Sequence, residues 1–260
     1  MKTTTLNVLF LSLVFTAQAY AVEITDKARE KRVAVQIEEQ LLSGDPIWLE
    51  VDGQQVFALD TPAESEPVKG TVILVHGNGA HPNWAQVIAP LRAALSENGW
   101  RNIAVQMPYI PEDLPVSAAA QLFSNTDARI KAAVDYALND EETPLYMVSH
   151  SRGGPQASHY VARYSDAPIK ALAIIGSSAR YQNDPDEFTT ATSLSKIKIP
   201  MLDMYGSEDL EHVVKTAGDR KKAAASKDYT QKVIKGADHM WDGEEQQLTS
   251  NVLEWLNKME

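Results

Sequence analysis

The chain has 260 residues, 35 acidic against 24 basic side chains, a formal net charge of −11 and no cysteine. That length suits one large α/β domain or two small ones, and 44% hydrophobic with 23% charged residues is the make-up of an ordinary globular protein. The missing cysteines exclude a disulfide scaffold, a thiolate zinc or iron–sulfur site, a thiol nucleophile and a lipidated N-terminal cysteine, and the acidity argues against nucleic acid as a partner, since binding phosphates takes cations.

Lys2 gives a positive start, residues 6–16 are apolar, and Ala17-Gln18-Ala19 and Ala19-Tyr20-Ala21 are two small-x-small cleavage sites. This is the layout of a secretory signal peptide, and its apolar run is too short to span a bilayer. Cleavage after Ala21 leaves residues 22–260 as a single domain and removes one positive charge, taking the net charge from −11 to −12. The expectation is an exported, periplasmic or secreted protein without stable membrane insertion. Nothing in the sequence indicates an oligomeric state.

Residues 23–42 read as a charged helix, with Val33, Ile37 and Leu41 at four-residue steps, ended by Pro46. Residues 47–51 and 55–59 are strands flanking Asp52-Gly53, a hairpin signal. A polar linker over 61–69 leads to a continuous apolar run at 71–75, the pattern of a central parallel strand. Helix is then expected at 83–98, strand at 102–106, helix at 118–138, strand at 145–148, helix at 153–164 and strand at 169–175. Strand comes next at 200–205, helix at 209–225 and strand at 229–234. The last helix is expected to open at Asp242 with Glu245 completing a capping box, burying Leu248, Val252, Trp255 and Leu256. A hairpin followed by repeated βα units predicts one α/β domain with a mostly parallel sheet covered on both faces.

Ligands in such sheets bind beyond the carboxyl ends of the strands, so the residues just past each strand are the places to seek chemistry. After residues 145–148 comes Ser149-His150-Ser151-Arg152-Gly153, then Gly154 and a helix. A serine in a tight strand-to-helix turn with small residues two before and two after is a nucleophile elbow; the usual first glycine is here Ser149. The helix that begins there aims free N–H groups and its positive dipole end at an oxyanion formed beside Ser151. Read alone, the same five residues also fit a plain N-cap serine on a buried turn. Three further strand ends add to them. His76-Gly77-Asn78-Gly79 is a loop suited to lending a backbone N–H, Gly206-Ser207-Glu208-Asp209 places a carboxylate past a strand, and Gly236-Ala237-Asp238-His239 places an imidazole past the next. The order Ser, Asp, His fits a Ser-His-Asp site on successive strand ends. Asp209 is favoured over Glu208 by its offset from Gly206, and Asp238 is too constrained beside His239 to orient it.

On these residues the chain resembles the α/β-hydrolase superfamily over about residues 47–259. Residues 70–100, with His76-Gly77 followed by His81-Pro82-Asn83-Trp84, also resemble an uncharacterised family of exported bacterial α/β-hydrolase-like proteins. The resemblance implies the α/β-hydrolase fold with an N-terminal β-hairpin and a small lid or none. It also implies Ser151 as nucleophile, His239 as base, Asp209 as its orienting acid, and the N–H groups of Asn78 and Arg152 as the oxyanion hole. The activity implied is hydrolysis of a small-molecule carboxylic ester or related acyl substrate through an acyl-enzyme, with no cofactor. The departure at Ser149 leaves a second reading open, an inactive exported binding or assembly module.

The other histidines have structural expectations: His76 holding its loop, His81 solvated, His150 beneath the elbow, His159 and His212 on helix surfaces. No pair has HExxH spacing, so no metal site is expected. Ser177 and Ser178 read as a turn. Residues 107–118 and 176–199, with Tyr109, Tyr181 and Phe188, are long enough for a small aromatic-edged lid but not for a cap domain. Trp84 and Trp241 border the pocket or pack in the core, and the Arg152 side chain meets a substrate carboxylate or lies on the helix surface. The helix over 23–42 covers a sheet edge or contacts a partner.

Overall fold

The computed structural model describes residues 23–140, 143–182 and 184–259; the signal-peptide reading of residues 1–21 lies outside them. The elements run α1 (Lys27–Gln40), β1 (Asp45–Val51), β2 (Gln54–Thr61), β3 (Gly70–Val75), α2 (Ile88–Glu97), β4 (Trp100–Val105), α3 (Ala119–Asp140), β5 (Leu145–His150), α4 (Gly153–Arg163), β6 (Ile169–Ile175), α5 (Thr190–Leu194), β7 (Met201–Glu208), α6 (Glu211–Lys215), α7 (Ala217–Ala223), β8 (Tyr229–Asp238) and α8 (Glu245–Leu256). The eight strands form one sheet in the order β1-β2-β4-β3-β5-β6-β7-β8. β1 and β2 make the expected hairpin, with positive φ at both Asp52 (49°) and Gly53 (75°), the twist a two-residue turn needs. β2 joins β4 antiparallel, and all later pairings are parallel. This is the α/β-hydrolase fold.

Alternate residues of the central strands feed two cores, as the two-residue period of a strand requires. Val72, Leu74 and Val148 face α1, α2 and α8 with Ile37, Leu91, Val252 and Leu256. Ile73, Val75 and Met147 face α3, α4 and α5 with Ile130, Val134, Tyr160 and Leu194. Because β3, β5, β6, β7 and β8 are parallel, their carboxyl ends lie along one edge of the sheet, and every loop singled out from the sequence opens there.

Three helices differ from the sequence expectation. α2 starts at Ile88 rather than 83, since Pro90 has no N–H to give a preceding turn and is tolerated only in the first one; Asn83 Oδ1 instead accepts from Arg92 at 2.5 Å. The helix expected over 209–225 is two, broken at Thr216 (φ −99°, ψ 8°). Thr216 Oγ1 accepts the Ala179 N–H at 3.0 Å, and the fully buried Arg220 turns inward to Asp203 Oδ2 at 2.8 Å. Both ties pull the chain off a straight helical path. α8 opens at Glu245, not Asp242, and has no side-chain cap. Trp241 (φ 60°) and Gly243 (φ 77°) lie in the left-handed region, so residues 241–243 cannot form the first turn and the expected capping box does not form.

Between β6 and β7, residues 176–199 carry a 3-10 turn at Asp186–Phe188 and then α5. Phe188 is buried and stacks on Phe123 at 4.5 Å between centroids, so it is packing rather than a lid edge. α1 is tied to the loop after β4: the Asp26 N–H donates to Tyr109 O at 3.0 Å, Thr25 Oγ1 accepts the Tyr109 N–H at 2.9 Å, and Glu30 pairs with Arg129 at 3.1 Å. Tyr109 is therefore buried. Among the described residues no helix is long and apolar enough to cross a membrane.

Candidate active site

Ser151 follows β5 directly, and its backbone turns at φ 54°, a conformation in which a Cβ is strained. Its N–H donates to Ile175 O on β6 at 2.8 Å, and its carbonyl accepts the Gly154 N–H at 2.9 Å. The turn admits only small neighbours. A Cβ on Gly153 would come 2.5 Å from Val75 O, one on Gly154 2.2 Å from Ser177 Oγ, and one on Gly77 2.8 Å from Ser151 Cβ. Ser149, where the elbow pattern has glycine, is fully buried, and its Oγ donates to Ala173 O of β6 at 3.2 Å. The extra Cβ thus finds room between β5 and β6, and its hydroxyl is satisfied.

β7 and β8 deliver the next two groups. Asp209 is the first residue past β7; its Oδ1 lies 2.6 Å from His239 Nδ1 and accepts the Leu210 N–H at 2.7 Å. His239 Nε2 lies 2.9 Å from Ser151 Oγ. With Nδ1–H donating to the carboxylate, Nε2 carries the lone pair and accepts from the serine hydroxyl. Asp209 is buried, and its Oδ2 has no hydrogen-bond partner among the described residues. Glu208 is exposed. Asp238 Oδ1 accepts the Met240 and Asp242 N–H groups at 2.9 and 3.3 Å, so it shapes the turn that succeeds His239 instead of meeting the imidazole.

The backbone N–H groups of Asn78 and Arg152 make no hydrogen bond among the described residues, and both residues line a cavity of about 520 Å³ with Ser151. Two free donors beside the serine hydroxyl are what an oxyanion would require. The Arg152 side chain is tied down within the protein and does not lie on the helix surface. It pairs bidentately with Asp184 at 2.5 and 2.6 Å, with its guanidinium 5.0 Å from the centre of the Tyr181 ring.

Two buried histidines brace the site. His76 Nδ1–H donates to Gly77 O at 2.8 Å while Nε2 accepts the Met107 N–H at 2.9 Å, which fixes one neutral tautomer and joins the loop after β3 to that after β4. Burial pushes its pKa down to about 3. His150 Nε2–H donates to His239 O at 2.9 Å with the rings 4.9 Å apart, and burial pushes its pKa down to about 4. His159 is half-buried, 3.1 Å from Asp127 Oδ1. His81 Nδ1 accepts the Asn83 N–H at 3.2 Å, and His212 is exposed at the cavity rim. Trp241 is core, whereas Trp84 borders a separate cavity against α1. Among the described residues no group of three or more His, Asp or Glu side chains is placed to hold a metal. The association of Arg152 with Asp184 and Tyr181 escapes sequence reasoning: 32 positions separate Arg152 from Asp184, and no spacing rule connects them.

The chain is 20% identical to Est1E from Butyrivibrio proteoclasticus, with a TM-score of 0.66, 84% of this chain and 99% of that one being covered. A second structure of that protein, described as having ferulic acid bound, covers 82% of this chain and 98% of its own at 19% identity and a TM-score of 0.66. A dienelactone hydrolase from Anabaena variabilis ATCC 29413 is 15% identical, with a TM-score of 0.67 and coverage of 83% and 97%. No curated protein matches the chain. A family model described as "Protein of unknown function (DUF3530)" matches residues 6–128 and 111–258. By that match the chain belongs to the DUF3530 family, and it has the α/β-hydrolase fold.

Proposed function

We propose that this protein is an exported serine hydrolase that cleaves a carboxylic ester or related acyl bond through Ser151, His239 and Asp209. The observation that carries this is the continuous line from Asp209 Oδ1 through the imidazole to Ser151 Oγ, 2.6 and then 2.9 Å, ending on a hydroxyl held out by a positive φ. His239 Nε2 takes the proton as Ser151 Oγ attacks the carbonyl carbon. Asp209 holds the tautomer and stabilises the imidazolium. The Asn78 and Arg152 N–H groups receive the oxyanion, each such donor contributing roughly 3 kcal/mol in comparable sites. The imidazolium then protonates the leaving alcohol, and water, activated by the same imidazole, releases the acid. The structural neighbour described as a dienelactone hydrolase is in keeping with this chemistry, and the one described as having ferulic acid bound is in keeping with a small-molecule substrate.

A fluorophosphonate probe tests the reading. Labelling at Ser151 in folded protein at neutral pH is expected, lost in Ser151→Ala and weakened at least a hundredfold in His239→Ala, on the scale of removing a general base. Folded wild-type protein that is never labelled refutes it. The export half rests on residues 1–21, and the N-terminal sequence of protein recovered from the producing cells is expected to begin at Val22. A mature chain beginning at Met1 refutes that half.

A further inference from the structure

The 520 Å³ cavity is lined by Asn78, Ser151, Arg152, Tyr181, Leu210 and His212 among others, and not by His239. In ester cleavage by Ser151 the leaving oxygen must come within reach of His239 Nε2 to be protonated, so the acyl group occupies the side that His239 does not line. Tyr181 stands on that side. Its hydroxyl faces the side chains of Ser151 and Ser177 and accepts the Ser178 N–H at 3.4 Å. One face of its ring lies under the Arg152 guanidinium, and its edge meets His212 at 5.6 Å between centroids. Arg152 is itself locked by two bonds to Asp184, whose side chain is 6% exposed. A ring held on one face by a guanidinium that is itself locked is a wall that does not yield to a longer chain.

We infer that Tyr181, braced by the Arg152–Asp184 pair, closes the acyl side of the cavity and restricts the enzyme to esters of short acyl groups. This rests on the reading of Ser151 as nucleophile. It makes Tyr181 a specificity residue that removes no proton, and its predicted mark is on the ratio of rates between substrates.

The test holds the leaving group constant as p-nitrophenol and measures kcat/KM for the acetate, butyrate and octanoate esters. Wild type is expected to prefer acetate over octanoate by at least tenfold. In Tyr181→Ala the octanoate-to-acetate ratio is expected to rise at least tenfold, the scale that a few methylenes in an apolar pocket supply. Tyr181→Phe keeps the ring and is expected to hold the ratio within threefold of wild type. If Tyr181→Ala does not fold, Tyr181→Val opens the same wall with less loss of apolar contact and is expected to raise the ratio in the same direction. A ratio that stays within threefold of wild type in the folded Ala or Val variant overturns the inference, as does a wild-type preference for octanoate. Both outcomes leave fluorophosphonate labelling of Ser151 intact, which separates them from failure of the hydrolase reading, where no labelling and no ester turnover occur.

Discussion

Ser149 shows how a single residue can depart from a pattern without breaking the geometry the pattern encodes. The small residue two before the nucleophile is needed because β5 passes close to its neighbours there, and the hydroxymethyl group of Ser149 fits by donating to Ala173 O of β6. Ser149→Gly is therefore expected to destabilise the protein by about 1–2 kcal/mol: about 1 for the lost buried hydrogen bond and the rest for a more flexible unfolded chain. Urea unfolding midpoints of the two proteins measure this, and a stabilised glycine variant would refute the accommodation of the hydroxymethyl group. Ser151, Asp209 and His239 can be singled out from sequence because each lies three to five residues past an expected strand, a local signal. Tyr181 stands out in the sequence only as one of three aromatics in possible lid segments, and Asp184 does not stand out at all. Their role depends on Arg152 reaching 32 positions along the chain, and an exposed-looking loop carries no periodicity to announce it.

At the scale of elements, the strands are the most legible part. The continuous apolar runs of β3, β5 and β6 are those of strands buried on both faces, and Asp52-Gly53 marks its turn by residue chemistry alone. Helix ends are less legible because they are set by side chains that find partners far away. Thr216 and Arg220 split α6 from α7 through Ala179 and Asp203, neither of which is a sequence neighbour. Trp241 in the left-handed region delays α8 because its side chain is wholly buried in the core, and tertiary packing there overrides the local capping signal. Pro90 carries a local signal, since its missing N–H confines it to a first turn, but the expected start at residue 83 passes over it.

For the whole molecule, the two buried histidines make stability depend on pH in a direction that can be worked out. An unfolded histidine takes up a proton below about pH 6.5, whereas folded His76 and His150 remain neutral down to about 3 and about 4. Between these limits the unfolded state binds more protons, so the stabilisation is complete above pH 6.5 and is lost as pH falls below it, by about 1.4 kcal/mol per pH unit for each histidine. Urea unfolding at pH 7, 6 and 5 is expected to show this decline. In His76→Gln, between pH 6 and 5, the slope is expected to be shallower by about 1.4 kcal/mol per unit; an unchanged slope would contradict a neutral His76 bonded through both ring nitrogens. The positions of residues 25–26 and of Met259 have a practical consequence as well. Thr25 and Asp26 are fastened to Tyr109, whose neighbour Ile110 lines the cavity, while Met259 O accepts from Tyr146 Oη near the start of β5, ~16 Å of strand below Ser151. A carrier or surface joined after Met259 would leave the cavity mouth clear, whereas one joined just before Ile24 would crowd it, so immobilised protein should be tethered by its tail.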